Sequence, residues 1–349
     1  MNPRPLVVVW CLASAGCLWI SADEHTQRKD QDLDGVGFDV DCDDFDPRVA
    51  PGLAEQPCDA LDNDCDPATL DGPAVVGSTV YASVQAAVDA APVDGTITVC
   101  PGFHAGVTIV TPGLAVSGTG DPALTTVSGG GTGPAFTIAA PGVTISRLTV
   151  AGGTGVARAE APGLPEGTYG GGVYAMDATD TVTLSNLIVQ GNTADHGAGI
   201  AGPLVGALAM SGVVVRQNTA TGRGGGLLVP SAATVTAGSF TQNAADEGGG
   251  IAVLTGGVLD LADQVGVTAN IAARGGGGSL GAGASWTGGG ITENVADEAG
   301  GGLWSLGGAA SDVVLRLNTS LVGGNYGGYG VLARAEVSDG KAEGGGGVW

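Results

Sequence analysis

The sequence contains few aromatic residues and few positive charges. Aromatic side chains make up 4% of the 349 residues, and 12 Lys and Arg oppose 35 Asp and Glu, which gives a formal net charge of −23. Nucleic acid and anionic membrane surfaces repel such a chain, so we expect neither as a direct partner. Beyond the first 22 residues, no stretch reaches the roughly 20 apolar residues that a membrane helix requires. The expected partners are divalent cations.

Glycine and small aliphatic residues dominate what is present. The chain has 66 glycines without a G-X-Y period, which excludes collagen. Its hydrophobic content of 43% is too high for a disordered chain. Val, Ala, Leu and Ile that alternate with glycine predict many short strands joined by tight turns.

Residues 1–22 have the features of an export signal. Arg4 supplies the positive end, and residues 6–15 form a short apolar core. The segment LASAGC (residues 12–17) resembles a bacterial lipoprotein box, which implies cleavage after Gly16 and lipidation of Cys17. Ordinary cleavage after Ala22 is the alternative. Both place the protein outside the cytoplasm, either secreted or as an outer-membrane or cell-surface lipoprotein, and only a lipid anchor at Cys17 would attach it to a membrane.

Four cysteines follow the leader, an even number that favours two disulfides in an exported protein. Three connectivities are open. Zinc is a poor alternative because these cysteines are flanked by aspartates and lack a nearby histidine. The four disulfide candidates are Cys42, Cys58, Cys65 and Cys100.

Residues 23–73 form an acidic module with 16 Asp and Glu against three Lys and Arg. Asp30, Asp32 and Asp34 alternate, a glycine follows at the sixth position, and Asp41 stands at the twelfth. This is the spacing of oxygen ligands in a calcium loop, where the backbone carbonyl of Val36 would serve the seventh position. Aspartate instead of glutamate at the twelfth position departs from the EF-hand pattern. The spacing predicts a Ca²⁺ site.

The same theme continues in DCDDFDPRVAPGLAEQPCDALDNDCD, residues 41–66. This segment resembles the metal-binding motif family of bacterial surface proteins named after the MopE copper protein. The resemblance implies metal binding, and the hard carboxylate oxygens favour calcium over copper. A solvated acidic linker is the alternative. The further candidate ligands are Asp43, Asp44, Asp46, Asp59, Asp62, Asn63, Asp64 and Asp66.

A third region, residues 78–349, begins with an amphipathic segment. Val84, Ala87, Val88 and Ala91 share one helical face, and a short strand follows. This opening resembles that of pectin-lyase-like right-handed parallel β-helices, in which a helix caps the first coil. The resemblance implies an all-β solenoid of roughly ten coils.

A repeat of 24–27 residues supports that fold. Each unit has an apolar residue three positions before an asparagine and a glycine block after it. The asparagines are Asn192, Asn218, Asn243, Asn270, Asn294 and Asn318. The apolar residues are Val189, Val215, Phe240, Val267, Ile291 and Leu315. This pattern also resembles the repeats of polymorphic outer-membrane proteins.

Stacked coils place equivalent residues on neighbouring strands, about 4.8 Å apart. We therefore expect the apolar column to fill the core and the asparagines to occupy left-handed turns and bond along the stack. Gly153 matches the asparagine position one coil earlier, and Asp339 stands where a seventh asparagine would. Because the sequence stops inside a glycine block at Trp349, we expect an uncapped edge there.

Charged residues three to five positions after the first five asparagines alternate in sign from coil to coil, which predicts a ladder of ion pairs. They are Asp195 and His196, Arg223, Asp246 and Glu247, Arg274, then Asp297 and Glu298.

The coils carry no recognisable catalytic motif. We interpret His104 as a turn residue, and Asp177 with Asp180 is the least implausible catalytic pair. The sequence therefore favours a non-enzymatic, calcium-stabilised solenoid for adhesion or surface architecture. Two alternatives stay open: a polysaccharide lyase or hydrolase with an unrecognised site, and a non-catalytic module that binds glycans. Cell-surface glycans or proteins are further candidate partners.

Overall fold

The computed structural model describes residues 30–59, 61–67 and 72–347. The chain divides into two compact units, residues 1–71 and residues 72–349. The predicted leader, the lipidation candidate Cys17 and the chain end at Trp349 lie outside the described residues. Within the described residues, no helix has the length and apolar character needed to cross a bilayer.

The second unit is a parallel β-solenoid of about nine turns, close to the roughly ten coils expected. It confirms the all-β prediction, and its right-handed sense stays a prediction.

Three columns of strands surround the core. Column 1, which precedes each asparagine, contains Gly102–Ala105, Thr125–Ser128, Thr149–Ala151, Ile188–Gln190, Gly266–Thr268, Gly290–Thr292, Val314–Arg316 and Glu336–Ser338. Column 2, which follows each glycine block, contains Val107–Ile109, Phe136–Ile138, Val173–Tyr174, Ile200–Ala201, Leu227–Val229, Ile251–Val253 and Gly278–Leu280. Column 3 contains Thr96–Val99, Ala115–Gly118, Thr144–Ser146, Val182–Ser185, Val258–Leu261 and Ser285–Thr287.

Four longer strands each belong to two columns. Ala207–Arg216 and Ala232–Thr241 run from column 3 into column 1, whereas Leu303–Ser311 and Tyr326–Ala333 run from column 2 into column 3. A separate sheet lies between columns 1 and 2 in the chain order. Its strands are Val156–Arg158, Gly167–Tyr169, Thr193–His196, Thr219–Arg223, Ala244–Glu247, Ile271–Arg274 and Val295–Ala299.

The solenoid begins with a β-hairpin. Among the described residues, this hairpin supplies the only strand that pairs antiparallel with a strand of column 3. Ala74–Val76 forms a hairpin with Thr79–Tyr81 and also pairs with Thr96–Val99. The helix Val84–Ala90 (α1) follows, and the hydroxyl of Ser83 accepts a hydrogen bond from the Ala86 N–H at 3.0 Å. Its apolar face is buried, as the sequence pattern predicted. A 3₁₀ turn at Pro122–Leu124 is the other helical segment in the described region.

The predicted apolar column is confirmed. Val189 pairs with Val215, Val215 with Phe240, and so on through Leu315, and all six side chains are fully buried. The column also continues to Val127 and Val150 at one end. Deleting one side chain would therefore remove contacts to the coils above and below.

The asparagines form the predicted ladder, but their backbone differs from the prediction. Each of the six is at most 1% exposed. The left-handed residue is the one before the asparagine, so the predicted left-handed asparagine conformation was wrong. These preceding residues, with φ between +54° and +63°, are Gly191, Gln217, Gln242, Ala269, Glu293 and Leu317.

The two ends of the ladder differ. Gly153 lies at the predicted position, where its N–H donates to the Asn192 side-chain oxygen at 2.9 Å. The prediction for Asp339 was wrong by one residue, because the pairing of Leu315 with Val337 aligns Asp339 with left-handed Leu317. Instead, the side-chain oxygen of Asn325, from the following turn, accepts from the Asn318 side-chain amide at 2.8 Å.

Candidate metal site in the acidic module

The acidic module is built from a repeated local turn, in which one carboxylate oxygen accepts the backbone N–H two residues later. Asp32 accepts from the Asp34 N–H at 3.2 Å, Asp34 from the Val36 N–H at 2.7 Å, and Asp41 from the Asp43 N–H at 3.0 Å. Each turn uses one oxygen, so the second oxygen of each carboxylate is available to a ligand.

The first carboxylate group comprises Asp30, Asp32, Asp34, Asp41 and Asp44. Carboxylate oxygens of the first three lie within 4.8 Å of one another. The Asp44 carboxylate accepts from the Gln31 N–H at 3.2 Å, which fixes it beside Asp30. Desolvation and the negative charges of Asp34, Asp41 and Asp30 raise the pKa of Asp32. This mutual repulsion is what a bound cation would relieve.

Asp30 is the most constrained member of the first group. Only 7% of it is exposed, and its two oxygens accept from the N–H groups of Leu33 at 2.7 Å and Gly35 at 3.1 Å. Gly35 has φ of +101°, a conformation that other residues rarely adopt. The glycine at the sixth position of the loop therefore allows the chain to fold back over Asp30.

A second carboxylate group comprises Glu55, Asp62 and Asp64, whose carboxylate oxygens also lie within 4.8 Å of one another. The Asp64 N–H donates to the Glu55 carboxylate at 3.0 Å. The sequence reasoning singled out Asp62 and Asp64 but missed Glu55. The available signal was weak, because Glu55 is a single acidic residue outside the alternating aspartates.

Six carboxylate oxygens in these two groups are shielded from solvent and have no hydrogen-bond donor. They are Asp32 Oδ2, Asp34 Oδ2, Asp41 Oδ2, Asp44 Oδ2, Glu55 Oε2 and Asp62 Oδ1. A buried, unpaired carboxylate oxygen is costly, on the order of 1–3 kcal/mol or more. Six of the nine such side-chain atoms in the described part of the chain lie in this small module. The donor set, entirely carboxylate oxygen, fits a hard divalent cation.

The other predicted ligands of the module are held by neighbouring side chains or backbone. Asp46 forms an ion pair with Arg48 at 2.5 Å, and this pairing lowers the pKa of Asp46. Asn63 is fully buried, where its side-chain oxygen accepts from the Gln56 N–H at 2.6 Å and its amide donates to the Arg48 carbonyl at 2.9 Å. Asn63 thus connects three parts of the loop.

Three further candidates serve in turns. Asp59 accepts from the Leu61 N–H at 3.0 Å and from the Asn63 amide at 3.3 Å. The exposed Asp43 accepts from the Phe45 N–H at 3.3 Å. The N–H of Asp66 donates to the Asp64 carboxylate at 2.8 Å. Their roles as ligands, and that of the Val36 carbonyl, stay predictions.

A disulfide joins Cys42 to Cys65. Of the connectivities left open by the sequence, this pairing closes the module between its two acidic segments. The Cys42 sulfur lies 3.9 Å from the Asp62 carbonyl, so the bridge lies beside the second carboxylate group. An Asp41 carboxylate oxygen and the two sulfurs lie within 4.8 Å of one another. Sulfurs joined in a disulfide are poor ligands, so this trio offers only Asp41 in the oxidised protein.

On the solenoid, the predicted ion-pair ladder is confirmed from Arg223 to Glu298, whereas Asp195 at its start accepts from Thr168 and Thr221 instead of pairing with an arginine. Arg223 contacts Glu247 at 3.1 Å, and Arg274 contacts Glu247 at 2.8 Å, Asp246 at 3.6 Å and Glu298 at 3.1 Å. These contacts pair Asp246, Glu247 and Glu298 with arginines along one edge of the stack.

His196 lies at one end of this ladder. Its Nδ1 accepts from the Arg223 N–H at 3.1 Å, and its ring lies 4.8 Å from that of Tyr169. Burial and the nearby Arg223 charge lower the pKa of His196. The histidine is therefore held neutral as part of the stack.

The remaining candidate catalytic residues are also bound within the fold. The Asp177 carboxylate accepts from Arg158 and from the Tyr174 hydroxyl, each at 2.7 Å. Burial and Asp177 raise the pKa of Tyr174 to about 12. Asp180 accepts from the Thr181 N–H at 2.7 Å. His104 lies in the strand Gly102–Ala105, with Nε2 2.8 Å from the Cys100 carbonyl, so its interpretation as a turn residue was wrong.

Comparison with known proteins supports the metal assignment for one segment. Residues 41–69 match the Cu-binding MopE family model, described as "Putative metal-binding motif". The match includes Asp41, Asp44 and the whole second carboxylate group, and it ends outside the solenoid. No curated protein and no solved structure shows significant similarity to the chain.

Proposed function

We propose that this protein is an exported, non-enzymatic β-solenoid whose acidic module binds calcium, and that it serves in adhesion or architecture at the cell surface. A solenoid that carries a metal-binding motif is compatible with a surface protein. The observation that carries the proposal is the set of six shielded carboxylate oxygens without donors, divided between two groups.

Calcium fits these groups better than the other common metal ions. Calcium takes six to eight oxygen ligands in flexible geometry, whereas magnesium demands a strict octahedron and retains several waters. Zinc and copper(I) prefer nitrogen or sulfur ligands, and the two groups offer only oxygen. Extracellular modules of this kind often bind calcium at about 0.1–1 mM. That range suits a protein exposed to the cell exterior.

The export proposal rests on the leader pattern at residues 1–22 and on the disulfide between Cys42 and Cys65. Disulfides form in oxidising compartments and are rare in the cytosol. Fractionation of the source cells, followed by detection of the protein in the surface and secreted fractions, tests this proposal. Recovery in the cytosolic fraction alone would contradict it.

A non-enzymatic role is supported by the engagement of the acidic side chains on the coils. The ladder carboxylate of Glu247 contacts two arginines, and Asp177 is held by Arg158 and Tyr174. A carboxylate committed to such partners is a poor general base, because deprotonating a substrate would require it to leave them.

The calcium proposal is tested by calorimetric titration of the full, oxidised chain with Ca²⁺. We expect binding that protects residues 30–67 from protease. Asp34→Asn and Asp62→Asn each remove a charge from one group, so each should reduce the number of ions bound. Asp260→Asn, at an exposed position on the solenoid, is the matched control and should bind as the wild type does. Absence of heat and of protease protection at millimolar calcium would overturn the proposal.

A further inference from the structure

The disulfide between Cys42 and Cys65 has an acidic neighbour, Asp41, which also belongs to the first carboxylate group. One carboxylate oxygen of Asp41 lies within 4.8 Å of both sulfur atoms. Asp41 Oδ1 accepts from the Asp43 N–H, whereas Oδ2 is shielded from solvent and has no donor. A carboxylate oxygen thus lies beside the two bonded sulfurs.

We propose that reduction of this disulfide creates a third metal site, formed by the thiolates of Cys42 and Cys65 and the carboxylate of Asp41, for a thiophilic divalent ion such as Zn²⁺. A thiol reductant breaks the S–S bond and is itself oxidised to a disulfide, leaving two thiols in the protein. The ion then displaces the two thiol protons and binds both sulfurs. Asp41 is shared with the first carboxylate group, but formation of the sulfur site does not require calcium to bind there.

The chemistry of the ligands separates this site from its neighbours. Zinc accepts cysteine sulfur, histidine nitrogen and carboxylate oxygen as ligands, and three protein ligands leave a fourth position for water. The two carboxylate groups contain no sulfur and favour hard ions. The redox state of the Cys42–Cys65 disulfide would therefore decide whether the module offers metal ions only carboxylate ligands or also thiolate ligands.

The position of the bridge makes the conversion accessible. Cys42 is exposed and Cys65 is partly exposed, so a reductant and an ion can both reach the sulfurs. Exposed disulfides are in general the more labile ones. The surrounding carboxylates also favour the arrival of a dication, because the local charge is strongly negative.

The test uses Co²⁺ as a spectroscopic probe, since cobalt–thiolate complexes absorb where carboxylate complexes do not. The full chain is reduced with a phosphine, which is converted to its oxide, and titrated with Co²⁺. We expect a thiolate band in the reduced chain and none in the oxidised chain. Cys58→Ser/Cys100→Ser, which leaves Cys42 and Cys65 in place, should retain the band after reduction. Cys42→Ser/Cys65→Ser should lose it.

Two measurements keep the test independent of how the serine variants fold. Asp41→Asn leaves both cysteines in place and should weaken Co²⁺ binding by at least about tenfold. In the reduced wild type, Zn²⁺ should slow alkylation of Cys42 and Cys65, as followed by mass spectrometry. Absence of the band, a band that persists in Cys42→Ser/Cys65→Ser, unchanged affinity in Asp41→Asn, or unprotected thiols would each overturn the proposal. None of these outcomes depends on whether the oxidised chain binds calcium.

Discussion

The side-chain amide of Asn218 donates to the side-chain oxygen of Asn243 at 3.0 Å, inside a stack where both residues are buried. The backbone N–H of Asn218 donates to the same oxygen at 3.1 Å, and the Asn243 amide in turn donates to the Val215 carbonyl at 3.0 Å. One side chain thus satisfies buried backbone and side-chain groups of two coils. Equivalent bonds recur from Asn192 to Asn318.

Replacement of Asn243 by alanine should destabilise the solenoid by about 2–4 kcal/mol, because two donors of Asn218 lose their acceptor in a buried site. Urea unfolding of the full chain measures the loss. Thr234→Ala, at an exposed position on a neighbouring strand, is the control and should change the unfolding free energy by less than about 0.5 kcal/mol. Equal effects of the two substitutions would show that the buried bonds contribute little.

Val215→Ala should cost about 2–4 kcal/mol, since it removes a buried aliphatic side chain without filling the cavity. The effect should be local, because Val215 pairs with Val189 and Phe240 on the adjacent coils. Hydrogen exchange should accelerate most in the strands that contain these residues and least near Leu315. Uniform acceleration along the solenoid would contradict this expectation.

Arg274→Glu should destabilise the protein by about 1–2 kcal/mol at low salt, because it removes the contacts to Glu247 and Glu298 and adds a like charge between them. Added salt should shrink this deficit through screening. Arg274→Gln removes the attraction without adding the repulsion, so its deficit should be smaller and less dependent on salt. Urea unfolding at two ionic strengths distinguishes these cases. A deficit of Arg274→Glu that is unaffected by salt would argue against electrostatic coupling in the ladder.

Stability should fall in acid partly through His196. Its pKa is lowered from 6.5 in the folded protein, so the unfolded chain binds the proton more tightly. The stabilising contribution is complete above the unfolded pKa and is lost as the pH falls below 6.5 towards the lowered folded value. His196→Asn retains an acceptor for the Arg223 N–H but does not titrate. Between pH 7.5 and 5, its unfolding free energy should vary less than that of the wild type, and parallel profiles would contradict the prediction.

Glu55→Gln should weaken calcium binding about tenfold or more, because Glu55 shares the second carboxylate group with Asp62 and Asp64. Asp46→Asn is the matched control, since Asp46 is paired with Arg48. Calorimetric titration of both variants compares them directly. If Asp46→Asn weakens binding more than Glu55→Gln, the assignment of ligands from the structure is wrong.

The periodic parts of the fold could be predicted from the sequence, because every coil requires the same type of residue at the same position. Val215 and its equivalents had to form one column once the coils stacked, and Arg274 had to lie between acidic neighbours. Features that occur once could not be predicted. Asn325 reaches back to bond Asn318 by a local rearrangement of a single turn, and no spacing encodes it.

In the acidic module too, some features could be predicted from the sequence and others could not. The alternating aspartates from Asp30 to Asp34 predicted a cluster, since i and i+2 carboxylates share a tight loop. Glu55 joins Asp62 and Asp64 only after the chain folds back, and four cysteines allow three pairings. Local ligand spacing is therefore visible in a sequence, whereas ligands brought together by chain reversal are not.

The direction of the asparagine ladder determines how coils can be added to the solenoid. Each asparagine oxygen accepts from the coil before it, and each amide donates to the oxygen of the coil after it. A coil copied within the gene would therefore arrive with an acceptor on one side and donors on the other, and would leave no polar group unpaired at either junction. Insertion of a whole coil thus leaves the polar groups of the ladder hydrogen-bonded, whereas insertion of half a coil does not. The spacings of 24 to 27 residues between successive asparagines correspond to whole coils and keep this pairing in register.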